Sequence, residues 1–284
     1  MDTECKVISI VNQKGGVSKT TTASLLAAGL ARKGYKVLAI DADSQGNMSS
    51  ALHADKSDDA FCLADLMQRI KVNDDDGTER EIVPEDAIQH TDYCDVIASN
   101  DRTAKAADLF GDEDRLYFLS DLMEILRPKY EFIIFDTGPA KDNMIKNCLV
   151  ASDGAIIPTI SAEYATQGIV AMSDTLRQAR RKNLNPRLKL YGILLTKYQR
   201  NLNTNKKTFD IVSDCAEAMG TRMFKTLIRT DENVNKSQMA VIPDDLRKFD
   251  EETGVILYDF APKSNAAVDY MEFIEELLTV LEEE

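Results

Sequence analysis

Two short apolar segments with a helical stretch between them constrain the fold of this chain more than any other feature. Segments 6–11 (KVISIV) and 36–41 (KVLAID) are rich in β-branched residues, which is typical of strands. Segment 21–34 between them is rich in alanine and leucine and ends at Gly34, a residue that commonly terminates helices. Two parallel strands need a crossover connection of this length, so the pattern predicts a βαβ unit.

The rest of the chain continues the alternation. Strands that are apolar along their whole length are buried on both faces, which happens when helices cover both sides of a parallel sheet. The sequence therefore predicts an α/β fold, a doubly wound, mostly parallel sheet flanked by helices. Further strands are predicted at 93–98, 131–136, 154–159 and 188–196, and helices at 61–70, 114–127, 140–151, 164–183, 204–219 and 264–283.

Domain organisation follows from length and composition. A chain of 284 residues allows one large domain or two small ones, and it contains no linker rich in Pro, Gly or Ser and no internal repeat. We therefore expect a single domain over residues 1–284. The acidic stretch 55–114 is expected to be a more irregular excursion from that domain.

Cysteine usage and hydropathy indicate the compartment. The five cysteines are an odd number and include no C-x-x-C pair, which is unlike a disulfide framework or a zinc site. No stretch of eighteen apolar residues occurs, and the N-terminus lacks the pattern of a secretory signal. These features predict a cytoplasmic protein without a membrane span.

Charge is distributed unevenly along the chain. The formal net charge is −14, which argues against a polyanionic partner. Segment 177–236, however, contains fourteen Lys and Arg against five Asp and Glu, a local net charge of +9. This basic segment is either a solvated helix face or a surface for nucleic acid.

The turn between the first strand and the first helix has the composition of a phosphate loop. A glycine-containing turn that leads into a helix N-terminus directs backbone N–H groups and the positive end of the helix dipole at one place. Lys19 would reach the β- and γ-phosphates, and the Thr20 hydroxyl would bind Mg²⁺. The strict G-x-x-x-x-G-K-[ST] pattern is not met, because Gln13 and Ser18 stand at the glycine positions. The predicted nucleotide-binding residues are Lys14, Gly15, Gly16, Val17, Ser18, Lys19, Thr20 and Thr21.

Carboxylates follow two of the predicted strands. Asp41 and Asp43 come after the second strand, and Asp136 follows the apolar run FIIF. The carboxyl ends of parallel strands meet at one edge of a sheet, so these groups are expected beside the phosphate loop. An aspartate there can hold a Mg²⁺-bound water, as in the Walker B arrangement. Thr20, Asp43 and Asp136 are thus the candidate magnesium residues.

The motifs KGGVSKTTT, DADSQGN, FIIFDTGP, GILLTKY and YDFAPKSNAAVDYMEF together resemble the ParA/Soj family of partition ATPases, part of the deviant-Walker group that includes MinD. The resemblance implies an ATP-bound homodimer, slow ATP hydrolysis with Mg²⁺, sequence-independent DNA binding and a ParB-like partner that stimulates hydrolysis. It makes Lys14 the lysine that reaches the partner's nucleotide, Asp43 the switch carboxylate near the attacking water, and Asp136 the Walker B residue. Catalysis is assigned to Lys14, Lys19 and Asp43.

The sequence departs from the family pattern at three positions. Ser18 replaces a glycine, and Ser44 and Gly138 replace prolines of the two switch loops. Loss of proline makes a loop more flexible before ligand binding, because proline reduces the entropy lost on ordering. Nucleotide binding is therefore expected to follow the family more closely than tight regulation of hydrolysis does.

The same fold also serves other functions. The acidic C-terminal segment EFIEELLTVLEEE does not suit attachment to anionic lipid, and no cysteines are placed to hold an iron–sulfur cluster. A P-loop small-molecule kinase or synthetase, which would use Lys19 without Lys14, remains the alternative. On the main interpretation, the protein associates with the nucleoid. The candidate DNA-binding residues are Arg200, Lys225, Arg229, Lys236 and Lys263.

Overall fold

The computed structural model describes residues 4–74, 77–108, 116–139, 143–160, 162–199, 204–239 and 255–283. These residues form strands and helices in close alternation. The strands are β1 (Lys6–Ile10), β2 (Val37–Ala42), β3 (Lys71–Asn73), β4 (Glu79–Glu81), β5 (Ile88–His90), β6 (Asp95–Ile97), β7 (Phe132–Thr137), β8 (Gly154–Thr159) and β9 (Lys189–Leu195). The helices are α1 (Lys19–Arg32), α2 (Asn47–Ala51), α3 (Leu63–Gln68), α4 (Pro84–Ala87), α5 (Arg102–Asp108), α6 (Phe118–Leu126), α7 (Asn143–Ala151), α8 (Ala162–Ala179), α9 (Thr204–Ala218), α10 (Glu232–Met239), α11 (Leu257–Phe260) and α12 (Asn265–Glu282).

Seven of the described strands form one sheet, in the order β5-β6-β2-β7-β1-β8-β9. β5 pairs with β6 in the antiparallel sense, while the other neighbouring strands of this sheet are parallel. The register sets Asp136 of β7 opposite Asp41 of β2 on one side and opposite Ile10 of β1 on the other. The loops that follow β1, β2 and β7 therefore leave the sheet at one common edge.

Helices cover both faces of this sheet because the strand side chains alternate between two apolar layers. Ile8 and Ile134 belong to a core cluster that also contains residues of α1 and α12, including Leu26 and Phe273. The intervening strand residues, such as Ile133, pack with residues of α3, α6 and α7. A third cluster joins β8 and β9 to α8 and α9. The predicted doubly wound, mostly parallel sheet flanked by helices is confirmed.

The long strands and helices were predicted from the sequence, whereas several short ones were not. Each strand and helix predicted from periodicity has a counterpart, with bounds that differ by a few residues, and the predicted strand 93–98 shortens to β6. The first residues of the predicted helices 114–127 and 140–151, namely 114–115 and 140–142, lie outside the described residues. The acidic stretch 55–114 contains short elements that were not predicted, among them α4, α5, the antiparallel β3–β4 hairpin and β5. The expectation of a single domain over residues 1–284 stays a prediction.

Candidate nucleotide-binding site

The loop between β1 and α1 is held open by backbone geometry. Gly16 and Ser18 adopt the left-handed conformation, with φ of 76° and 66°, and Ser18 is the N-cap residue of α1. Its side chain makes no capping hydrogen bond, so it leaves the first N–H groups of the helix without a side-chain acceptor. Asn12 anchors the base of the loop: its amide donates to the carbonyl of Pro158 and its oxygen accepts from the N–H of Lys14. An open helix N-terminus of this kind suits a phosphate group.

Lys19 lies inside the loop with 6% of its surface exposed. Its ammonium donates to the carbonyl oxygen of Lys14 at 3.2 Å. Burial lowers the pKa of Lys19, and the negative charges of Asp136 and Asp43 partly oppose that shift. A phosphate bound in the loop would add the anionic partner that a buried ammonium favours.

Asp41 and Asp136 lie side by side but have different surroundings. Asp41 accepts hydrogen bonds from the N–H and hydroxyl of Ser49 and from the N–H of Asp43, and burial raises its pKa to about 6. Both carboxylate oxygens of Asp136 are buried without a donor in hydrogen-bonding geometry among the described residues. Burial, and then the charge of Asp41, raise the pKa of Asp136 well above its usual range, while the nearby Thr20 hydroxyl lowers it in part. Asp41 thus secures α2, whereas Asp136 has acceptor capacity left over.

This spare capacity fits the predicted magnesium site. Mg²⁺ in nucleotide sites retains several waters and is held by one or two protein oxygens together with substrate phosphates. Thr20 and Asp43 line the cleft that extends from the phosphate loop, and both affect the pKa of the buried Asp136. The described residues contain no group of three or more His, Cys, Asp or Glu that could hold a metal ion by themselves. The spare acceptors of Asp136 and the nearby Thr20 hydroxyl suit a cation that arrives with a nucleotide.

Asp43 is positioned by its own turn and by the loop after β7. One of its carboxylate oxygens accepts from the N–H of Gln45, and its carbonyl accepts from the N–H of Gly46. A Cβ atom at Gly138 would stand 3.4 Å from the carboxyl carbon of Asp43. The glycine that replaces a family proline thus faces the candidate switch carboxylate directly.

A cleft of about 760 Å³ extends from the phosphate loop, a size in the range of small-ligand sites. Its lining also includes the apolar side chains of Ile228 and Val234 and the ring of Tyr270, whose hydroxyl shares a hydrogen bond with Thr22 of α1. The cleft therefore offers polar groups for a phosphate chain and apolar groups for a flat ring. Of the predicted nucleotide-binding residues, the lining includes Gly15, Gly16, Ser18, Lys19, Thr20 and Thr21.

The candidate DNA-binding residues have varied surroundings. Arg229 lines the cleft and binds the buried carboxylate of Asp269 on α12, with its closest N–O distance at 2.6 Å. Lys225 and Lys263 are exposed, and Lys236 is paired with Glu232 at 3.6 Å. Arg200 lies outside the described residues. The assignment of these residues to DNA stays a prediction.

Two residues that contact the phosphate loop were not predicted from the sequence. Thr196 and Lys197 follow β9 directly, and both contact backbone carbonyls of the phosphate loop. The available signal was their place: polar residues that end an apolar strand at the edge where the loop lies. Asp41 was noted as acidic, but its hydrogen bonds with Ser49 depend on a short helix that periodicity did not reveal.

Comparison with known proteins places this site in context. A family profile described as "AAA domain" matches residues 5–190. The Bacillus subtilis sporulation initiation inhibitor protein Soj is 30% identical over 273 residues, which cover 96% of this chain and 98% of Soj. The Caulobacter vibrioides chromosome partitioning protein ParA is 30% identical over 234 residues, 82% of this chain and 83% of ParA. The crystal structure of cobyrinic acid a,c-diamide synthase from Mycobacterium smegmatis, with a bound ATP analogue and magnesium, superposes with a TM-score of 0.76 at 23% identity, covering 98% of this chain and 96% of that one.

The parallel sheet, the loop that opens into α1 and the acidic strand ends define a P-loop ATPase of the deviant Walker type. With relatives of this similarity over most of its length, the chain belongs to the ParA/Soj family of partition ATPases within the MinD/ParA superfamily. Among the helices of the described residues, none combines the length and the apolar character needed to cross a bilayer.

Proposed function

We propose that this ATPase is a nucleotide-dependent dimerisation switch that binds DNA without sequence preference and partitions a plasmid or chromosome together with a ParB-like protein. On this proposal it acts in the cytoplasm, associated with the nucleoid. The observation that carries the proposal is the pair formed by buried Lys19 and the unsatisfied carboxylate of Asp136 beneath an open helix N-terminus. Such a pair is costly unless a phosphate and its cation complete it.

Each residue of the site then has a defined task. Lys19 and the loop N–H groups bind the phosphates and stabilise the charge that develops on the γ-phosphate during attack by water. Asp43 orients that water from the turn after β2. Mg²⁺, held by the Thr20 hydroxyl and through Asp136, would neutralise charge on the β- and γ-phosphates.

The position of Lys14 in the loop is an argument for the proposed dimerisation. Its backbone is fixed on both sides, because its N–H donates to Asn12 and its carbonyl accepts from Lys19. Lys19 is placed to bind the phosphate in its own loop, so the long flexible stem of Lys14 suits a phosphate presented from another subunit. The names of the relatives Soj and ParA, and the basic segment 177–236, support a partition role with DNA as a partner.

Paired lysine variants test this assignment. Lys14→Ala should leave ATP affinity of the monomer near the parental value and abolish the ATP-induced dimer, DNA binding and hydrolysis together. Lys19→Ala should lose ATP binding itself. Calorimetric titration of ATP beside analytical ultracentrifugation measures both. A Lys14→Ala protein that dimerises with ATP and hydrolyses it at the parental rate would contradict the proposal.

The fold likeness to cobyrinic acid a,c-diamide synthase keeps a small-molecule P-loop enzyme as the second candidate. Such an enzyme uses Lys19 but needs neither a partner's lysine nor DNA. A mobility-shift assay on random-sequence DNA with ATP, with ADP and without nucleotide separates the two candidates. DNA binding that appears only with ATP supports partition, and its absence in all three conditions supports the second candidate.

A further inference from the structure

The residues directly after β9 hold the phosphate loop from outside. The Lys197 ammonium donates to the carbonyl oxygen of Gly16 at 3.1 Å. The hydroxyl of the preceding Thr196 lies 3.4 Å from the carbonyl oxygen of Val17 and 3.1 Å from that of Thr159. Two consecutive side chains therefore contact two consecutive peptide units of the loop.

The same segment is also hydrogen-bonded to another part of the cleft lining. The N–H of Tyr198 donates to the carbonyl of Ile228, and the Tyr198 carbonyl accepts from the N–H of Thr230, both at 2.9 Å. Ile228, Thr230 and Lys197 all line the cleft. Lys197 thus lies between the phosphate loop, which its ammonium contacts, and segment 228–230, which is hydrogen-bonded to the neighbouring Tyr198.

The backbone of Lys197 is unfavourable for a lysine. Its φ of 53° lies in the left-handed region, where a residue with a Cβ is strained and glycine is not. The fold by itself would therefore prefer glycine at this position. Lys197 occupies this strained conformation while its ammonium contacts the phosphate loop, which indicates that the side chain has a function there.

We propose that Lys197 is a positioning residue for nucleotide binding, an inference that rests on the nucleotide site proposed above. A trans peptide unit points its carbonyl and its N–H in opposite directions, so fixing the Gly16 carbonyl also fixes the direction of the Val17 N–H. A loop whose N–H groups are already aligned loses less entropy when phosphate binds. Because the proposed effect acts through the loop N–H groups, it serves diphosphate and triphosphate nucleotides alike.

Substitutions at residue 197 test the proposal. Lys197→Gly removes the ammonium and relieves the backbone strain, and Lys197→Met removes the charge while keeping most of the stem. Calorimetric titration with Mg-ADP, and with the Mg complex of a non-hydrolysable ATP analogue, should show Kd values raised about five- to tenfold for both nucleotides, the effect of one charge-assisted hydrogen bond at an exposed site. Lys197→Arg should recover most of the affinity. Lys207→Met, an exposed lysine on α9, is the matched control and should bind as the parent does.

A stability measurement separates positioning from a merely structural role. Thermal unfolding of the nucleotide-free Lys197→Gly protein should occur at or above the parental Tm, although its affinity for nucleotide falls. Parental affinity in both Lys197→Gly and Lys197→Met would overturn the proposal, as would a loss of affinity that appears only with the triphosphate. If the parent protein binds neither nucleotide, the nucleotide site itself is wrong, which distinguishes that failure from a failure at Lys197.

Discussion

Ser18 begins α1 in a conformation that a residue with a side chain adopts at a cost. Its φ is 66°, and its hydroxyl makes no capping bond that would offset the strain. The sequence shows that Ser18 stands where the family has a glycine, but only the structure shows the left-handed backbone of Ser18. The substitution therefore affects the backbone energy of the loop directly.

Ser18→Gly should raise the free energy of unfolding by about 0.5–1 kcal/mol, since relief of left-handed strain outweighs the extra entropy of glycine in the unfolded chain. Urea unfolding of the nucleotide-free protein measures it. Ser24→Gly inside α1 should change stability in the opposite direction, because the Ser24 hydroxyl donates to the Thr20 carbonyl and glycine weakens a helix interior. A loss of stability in Ser18→Gly would show that strain does not govern this position.

Asp43→Ala should leave ATP binding and dimerisation intact and lower the rate of hydrolysis about a hundredfold or more, because it removes a group beside the attacking water and leaves the phosphate loop whole. Phosphate release, followed beside light scattering with ATP, measures the two properties separately. Ser44→Ala in the same turn is the matched control. A monomeric Asp43→Ala protein, under conditions where the parent dimerises, would assign Asp43 to the interface instead.

Among the strands and helices, the length of a segment decided whether it could be predicted from the sequence. The long apolar strands β7 and β8 and the amphipathic helix α12 carry clear periodic signals and were found close to their observed bounds. β5 is three residues long and exists through its pairing with β6, and α10 has the polar sequence ENVNKSQM. Short or polar elements of this kind are fixed by tertiary contacts, which local sequence does not encode.

The ion pair between Arg229 and Asp269 holds α12 to the segment before α10, and its contribution to the free energy of unfolding can be measured. Asp269 is buried and accepts from both the backbone N–H and the guanidinium of Arg229. Arg229→Ala should destabilise the protein by about 2 kcal/mol, because the carboxylate stays buried with part of its hydrogen bonding lost. Denaturant unfolding measures this, with exposed Lys225→Ala as a near-neutral control. Equal stability of the two variants would show that the ion pair does not stabilise the fold, and would favour a binding role for Arg229 at the surface.

For the whole molecule, the uneven distribution of charge between the basic segment and the acidic remainder decides which part of the surface can bind a polyanion. The segment 177–236 carries +9 within a chain of −14, so the proposed contact with DNA would be local and oriented. The phosphate loop and the acidic strand ends could be predicted because their chemistry is local in sequence. The partners of Arg229 and Lys197 could not, because Asp269 and Gly16 are distant along the chain.

Arg200→Ala and Lys263→Ala should each weaken binding of the ATP-bound protein to DNA of any sequence and reduce the slope of log K against log salt by about one unit. Fluorescence anisotropy on two unrelated duplexes, at several salt concentrations, measures the slopes. Lys71→Ala is the control, because Lys71 lies on the β3–β4 hairpin and is paired with Glu79. Unchanged slopes in both variants would place the DNA surface elsewhere.

The positions of the cleft residues along the chain set an order of events during protein synthesis. The phosphate loop leaves the ribosome early, whereas Val234 and Tyr270, which also line the cleft, are made far later. A ligand stabilises only the state that binds it, so nucleotide stabilises this protein in full only once α12 has completed the cleft. The early strands of the nascent chain therefore assemble before that stabilisation is complete.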